Sequence, residues 1–194
     1  MKLARLLLIT LSLLPSALTV QAAEENEDRD YEAGLRLLDL GQYMDALKSF
    51  GRSAKNGNTD AQYQIGIMFL EGEGMKANPE DAAYWFRKAA QNGHALSQFE
   101  IGRCFLTGTG VQADERMAAE WFWRAAEQGD PDAALYVARM YRDGRGMKQD
   151  IDKARKYYKR AVAAGIKEAV QEMEQLPAPK SPNTSKRHKP SKRR

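Results

Sequence analysis

The dominant constraint on this sequence is a period of 36 residues. Gly66, Gly102 and Ala138 stand 36 apart, as do Phe69, Phe105 and Tyr141, and so do the glycine pairs Gly72/Gly74, Gly108/Gly110 and Gly144/Gly146. Ala82, Ala118 and Ala154 follow in register, then the doublets Trp85-Phe86, Trp121-Phe122 and Tyr157-Tyr158. Ala89, Ala125 and Ala161 come next, and Gly93, Gly129 and Gly165 close each unit. A unit of this size cannot bury a core alone, so each must stack on its neighbours.

Each unit reads as helix, loop, helix. The apolar spacing predicts first helices over 61–71, 97–107 and 133–143. The small residue at 66, 102 or 138 lets a second helix approach, with Ala82, Ala118 or Ala154 facing it. The loop glycines supply positive φ where the chain leaves the first helix. Asn78, Asp114 and Asp150 are placed to cap the second helices, and Asp130-Pro131 to start a first one. Adjacent aromatics point about 100° apart on a helix, so one member of each doublet fills its own repeat while the other packs on a neighbour.

The pattern A-x-x-x-[LI]-G-x-x-[FY]-x-x-G-x-G-[VM] followed by A-x-x-[WY]-[FY]-x-[KR]-A resembles the Sel1-like repeat, a relative of the tetratricopeptide repeat. Three copies fill 61–96, 97–132 and 133–165. Ala138 replaces the glycine of the third copy, and Met75 and Met147 replace the usual valine after the loop. Residues 29–57 resemble a shorter, tetratricopeptide-like repeat, with four loop residues missing between Gly34 and Ala46. Residues 167–176 read as a first helix without a second, a cap that Pro177 ends. The expected fold is all-α, a right-handed α-solenoid of helix-loop-helix repeats.

The ends differ from this body. Lys2 and Arg5, the apolar run from Leu6 to Leu14 and the Val20-Gln21-Ala22 site make 1–22 read as a cleaved secretory signal peptide, which places the protein in the bacterial periplasm or outside the cell. Residues 23–28 form a short acidic leader. Residues 177–194 hold four prolines and no large apolar side chain, which reads as a disordered basic tail. The formal net charge of +4 is therefore uneven: +2 in 1–22, +7 in 177–194 and −5 between them. Overall basicity does not point to nucleic acid. The tail residues Lys186, Arg187, Lys189, Lys192, Arg193 and Arg194 form a candidate site for an anionic polymer or lipid surface.

Little in the sequence suggests chemistry. One cysteine, Cys104, excludes an intrachain disulfide and a cysteine-built zinc site. It occupies the place of Met68 and Met140, which assigns it to the core. His94 beside the Gly93 turn reads as a solvated loop histidine, and no nucleophile–His–acid set is visible. The glycine pairs lack the lysine, the Ser/Thr and the preceding strand of a phosphate loop. No catalytic residue, metal site or cofactor is expected.

The resemblance implies a noncatalytic scaffold that binds another protein or peptide of the cell envelope. In tetratricopeptide arrays the first helices line a concave groove. By that resemblance the groove residues are Tyr63, Ile67 and Leu70; Phe99, Arg103 and Leu106; Leu135, Arg139 and Arg142, with Tyr31, Leu35 and Leu38 before them. Such a surface offers apolar anchors at one end and arginines for a carboxylate at the other. The alternative is that these arginines pair with neighbouring acids such as Glu100 and Asp143. Two rival functions remain: a module tethered by its basic tail to an anionic envelope surface, and an enzyme acting on cell-wall or antibiotic substrates, a link known for some similar repeat proteins.

Overall fold

The structure is a computed structural model and describes residues 29–178. The expected signal peptide, the leader and the basic tail beyond Ala178 lie outside the described residues. Among those residues there are nine helices and no strand. Helix α1 covers 29–39, followed by α2 (Tyr43–Lys55), α3 (Thr59–Glu71), α4 (Pro79–Gln91), α5 (Ala95–Thr107), α6 (Glu115–Glu127), α7 (Pro131–Asp143), α8 (Ile151–Ala163) and α9 (Lys167–Glu174). From α2 onward each helix packs on the next, giving a solenoid in which α1, α3, α5, α7 and α9 are the first helices.

The first helices begin two residues earlier than the apolar pattern suggests. Asn58, His94 and Asp130 cap them, each accepting the backbone N–H three residues on, from Ala61, Ser97 and Ala133. The second helices are capped by Asn78, Asp114 and Asp150, as the sequence indicates. Each long loop folds back to the first helix through one repeated backbone bond. The N–H groups of Asn78, Asp114 and Asp150 donate to the carbonyls of Phe69, Phe105 and Tyr141 at 2.8, 2.8 and 2.9 Å.

The small residue of the first helix has a different main neighbour from the one expected. The nearest side-chain atoms to a Cβ built on Gly66 belong to Phe86, not Ala82, at 2.5 Å, and those nearest one on Gly102 belong to Phe122 at 2.8 Å. Gly34 stands in the same relation to Phe50. Alanines 82, 118 and 154 are fully buried alongside. The second glycine of each pair locks one repeat to the previous one. Gly110 lies at φ +67° against the carbonyl of Pro79, and Gly146 at φ +69° against that of Glu115, both at the first turns of second helices. The doublets divide as expected: Phe86 fills its own repeat, while Trp85 packs with the cluster around Phe50. Phe69 touches both apolar clusters and joins the shorter N-terminal repeat to the rest.

Candidate partner-binding face

The first helices bring one ring per repeat into line. Tyr31 packs on Phe50 with centroids 5.8 Å apart, Tyr63 on Phe86 at 5.9 Å and Phe99 on Phe122 at 5.6 Å. These rings sit three residues before the small position, so the helix turn that seats the second-helix aromatic also orients them. Tyr63, Ile67, Leu70, Phe99 and Leu106 are all half-buried and share this face. Leu35 and Leu38 extend it over α1.

The third repeat departs from the expected groove. Leu135 is buried at 5% exposure rather than open. Tyr136 lies beside it, stacked on Phe122 at 4.7 Å. Arg139 and Arg142 are held by α9. Arg139 donates through Nε to Glu172 at 3.0 Å and through an Nη to Glu168 at 3.1 Å. Arg142 donates to Glu172 at 2.8 Å, to Asp143 at 2.7 Å and to the Tyr158 hydroxyl at 3.0 Å. Tyr158 in turn donates to Glu172 at 2.8 Å. The bonds from Arg139 hold the Glu172 carboxyl below the usual range, and Arg142 does the same for Asp143. Arg103 pairs with Glu100 at 3.1 Å but remains about half exposed. The arginines thus pair with neighbouring acids, and Glu172 of the chain itself occupies the carboxylate place. A hollow of about 230 Å³ remains beside them, lined by Leu106, Tyr136, Arg139, Met140, Arg142, Asp143 and Arg145.

Charge on this face is divided. Helix α3 carries Asp60 and Glu71 and no cation, and Glu73 follows in its loop. Glu73 is raised by burial and by Glu71. Tyr63 is raised by burial and by Glu100 and Glu71. Burial raises Glu100 despite Arg103. Among the described residues Glu71 and Glu73 make no ion pair, whereas Glu100 pairs with Arg103 and the acids toward the C-terminal end pair with Arg139 and Arg142.

His94 is a correction to the sequence reading. It is no solvated loop residue but the cap of α5, with its side chain 12% exposed. Its Nδ1 accepts from the Ser97 N–H at 3.2 Å and lies 2.8 Å from Ser97 Oγ, and its Nε2 lies 3.0 Å from Asp60. This is a Ser–His–Asp chain that the sequence reading did not see. Ser97 is fully buried, so no substrate reaches its hydroxyl, and the imidazole is engaged in capping. Burial lowers the histidine's pKa against the pull of Asp60. The signal available in sequence was position: His94 aligns with Asn58 and Asp130, both good caps. Cys104 is buried and its thiol is pushed up to about 11 by burial and the charge of Glu100.

The Sel1 repeat model matches residues 59–94, 95–130 and 131–166, more than half of the chain. No curated protein matches it. Among solved structures, the chain is similar to a Sel1 repeat protein from Oxalobacter formigenes at 29% identity and a TM-score of 0.70, over 74% of this chain and 59% of that one. It is similar to c5321, a protective antigen of uropathogenic Escherichia coli displaying the same repeat fold, at 28% identity and 0.73, over 82% of this chain and 35% of that one. Helicobacter pylori cysteine rich protein B shares the fold at 19% identity and 0.51, over 65% and 96%. The chain spans about three fifths of the first relative's length and about a third of the second's.

Proposed function

The chain belongs to the Sel1 repeat family, whose members are generally noncatalytic scaffolds for protein interactions, and from that premise we propose that it is an exported adaptor of the bacterial cell envelope. Its partner segment lies along the concave first-helix face of α3 and α5. One observation carries this reading. Tyr63, Ile67, Leu70, Phe99 and Leu106 stay half open on consecutive repeats, although packing has closed the equivalent Leu135. Surfaces of this kind bind by a few apolar anchors. The export assignment is supported by the sequence of residues 1–22 alone.

The test is capture of partners from an envelope fraction by chemical cross-linking, comparing the natural chain with Leu70→Ser and Leu106→Ser. Loss of one protein from both variants, with unchanged thermal melting, supports the groove. Unchanged capture removes it. Fractionation of the producing cell, with the N-terminal residue read by mass spectrometry, tests export: a cytoplasmic chain starting at Met1 refutes it. The arginines are unsuitable probes, because changing Arg139 or Arg142 also releases α9.

A further inference from the structure

We infer that the outer face of α8 docks on an anionic phospholipid surface, with Lys153, Lys156 and Lys159 against the phosphates and Trp123 at headgroup level. The charge of α8 breaks the repeat. Helix α4 carries two cations and two acids and α6 two cations and three acids, whereas α8 carries five cations and one acid. Arg160 has counterparts in Lys88 and Arg124 and so belongs to the repeat. The three lysines do not. Position 153 is Asp81 and Met117 in the earlier copies, 156 is Tyr84 and Glu120, and 159 is Arg87 and Trp123. Packing therefore calls for no cation at any of them, and all three are exposed.

Their charge is unspent. Among the described residues none of the three forms an ion pair, whereas Arg160 pairs with Glu127 at 2.6 Å. Lys153 Nζ lies 5.2 Å from the centre of the Tyr141 ring and Lys156 Nζ 5.7 Å from that of Tyr157, so these ammonium groups rest on rings rather than carboxylates. Trp123 of α6, 43% exposed, reaches the Tyr157 hydroxyl, which sets an open indole beside them. Of the acids on α6 and α8, Glu127 is held by Arg160 and Tyr157, Glu120 by Arg124 and Glu115 by Arg145, which leaves Asp152. The described chain ends at the same place: Arg155 donates to the Pro177 carbonyl, and Pro177 and Ala178 line a hollow with Lys148, Ile151 and Asp152 at the start of α8. Residues 179–194, with seven cations and no acid, continue from that point.

Charge of this density attracts any polyanion. An indole among lysines favours a bilayer, because Trp sits at headgroup level and two cationic segments together hold anionic lipid where one alone holds it weakly. The net charge of −5 over 23–176 opposes wrapping by a long polyanion but not contact of one end with a plane. Docking through a second helix leaves the first-helix row from Tyr63 to Leu106 uncovered, so lipid and groove do not compete.

The experiment is co-sedimentation of the protein, as processed by the producing cell, with vesicles of one part phosphatidylglycerol to two parts phosphatidylcholine, and with phosphatidylcholine alone. Binding to the anionic vesicles only, falling as salt rises, is expected. Lys153→Gln/Lys156→Gln/Lys159→Gln weakens it about tenfold with unchanged thermal melting, whereas Lys153→Arg/Lys156→Arg/Lys159→Arg retains it. Trp123→Ala weakens it about threefold. Equal binding to both kinds of vesicle, or to neither, overturns the inference. So does full binding by the glutamine variant together with loss of binding on deleting 179–194, which gives the lipid to the tail alone. A single-stranded oligonucleotide or anionic polysaccharide that binds more tightly than the anionic vesicles, with the same dependence on the three lysines, assigns the face to a soluble polyanion and overturns it too.

Discussion

The close seating of one ring on each first-helix glycine makes a quantitative prediction for Gly66→Ala. A Cβ there would lie 2.5 and 2.6 Å from Cε1 and Cδ1 of Phe86. Ordinary contact begins near 3.4 Å, so the ring must retreat by about 1 Å. It has nowhere to go, because Phe86 is fully buried and Tyr63 packs against it at a tilted angle. Overpacking of this kind costs about 1–3 kcal/mol, and an enclosed aromatic lies toward the upper end. The alanine returns about 1 kcal/mol of helix propensity. The net loss is about 2 kcal/mol, or a fall in Tm of roughly 4–8 °C for a body of this size. Circular dichroism melting and urea titration measure it. Adding Phe86→Leu makes room for the methyl, so the double variant is more stable than the sum of the two single losses. The third repeat carries the methyl natively at Ala138, where the Tyr158 ring is tethered at its far end by Glu172 and Arg142. If Gly66→Ala instead raises Tm by the propensity gain alone, the glycine has no packing role and the reasoning fails.

The loop glycines separate conformation from contact: Gly110→Ala places a Cβ against the Pro79 carbonyl at positive φ, whereas Gly93 has the same sign of φ with nothing within 4 Å. The first variant should lose more than about 3 kcal/mol and the second about 1 kcal/mol in urea titration. Glu172→Gln should weaken the seat of α9 by about 2 kcal/mol, seen as faster hydrogen exchange confined to 167–176. Because Arg139 depresses the Glu172 pKa, its contribution is present above the ordinary glutamate value near 4.3 and is lost as pH falls through the lower folded value. His94→Asn should keep a good cap and flatten the pH dependence of stability near pH 6. The natural His94, lowered by burial, contributes fully above its unfolded value of about 6.5 and progressively less as pH falls below it toward the folded value. Cys104, with its thiol near 11, should resist a thiol reagent in the native state and react on unfolding.

The helices were readable because their determinants are local and repeat. A glycine, an aromatic doublet and a cap recur at one spacing, so each copy corroborates the others, and even the missing four loop residues of the first repeat could be counted. His94 was misread for lack of that comparison, since an imidazole is not a usual cap and only its alignment with Asn58 and Asp130 identifies it. The half-buried apolar row of the first helices is likewise readable, because side-chain direction follows from helix period. What the period could not give is how charges are spent between elements. Glu172 is 30 and 33 residues from Arg142 and Arg139, in the last helix of the described residues. A sequence cannot show that such an end helix turns its acids toward the preceding first helix.

That distinction bears on how function is carried by an array of this type. The positions that repeat are committed to packing: Phe86, Phe122 and Tyr158 are fully buried in every copy. The positions free to vary lie on the exposed turns of the first helices, and there the copies differ in charge. Helix α3 ends on Glu71, α5 on Thr107 and α7 on Asp143, and of the three Asp143 alone is ion-paired with an arginine. Identical scaffolding therefore presents unlike charge at successive steps along one face. On the proposed function, a partner segment lying across those steps would meet the apolar row of Tyr63, Ile67, Leu70, Phe99 and Leu106 in order. In that reading affinity would come from the shared apolar row, and discrimination from the unlike charge presented at its successive steps.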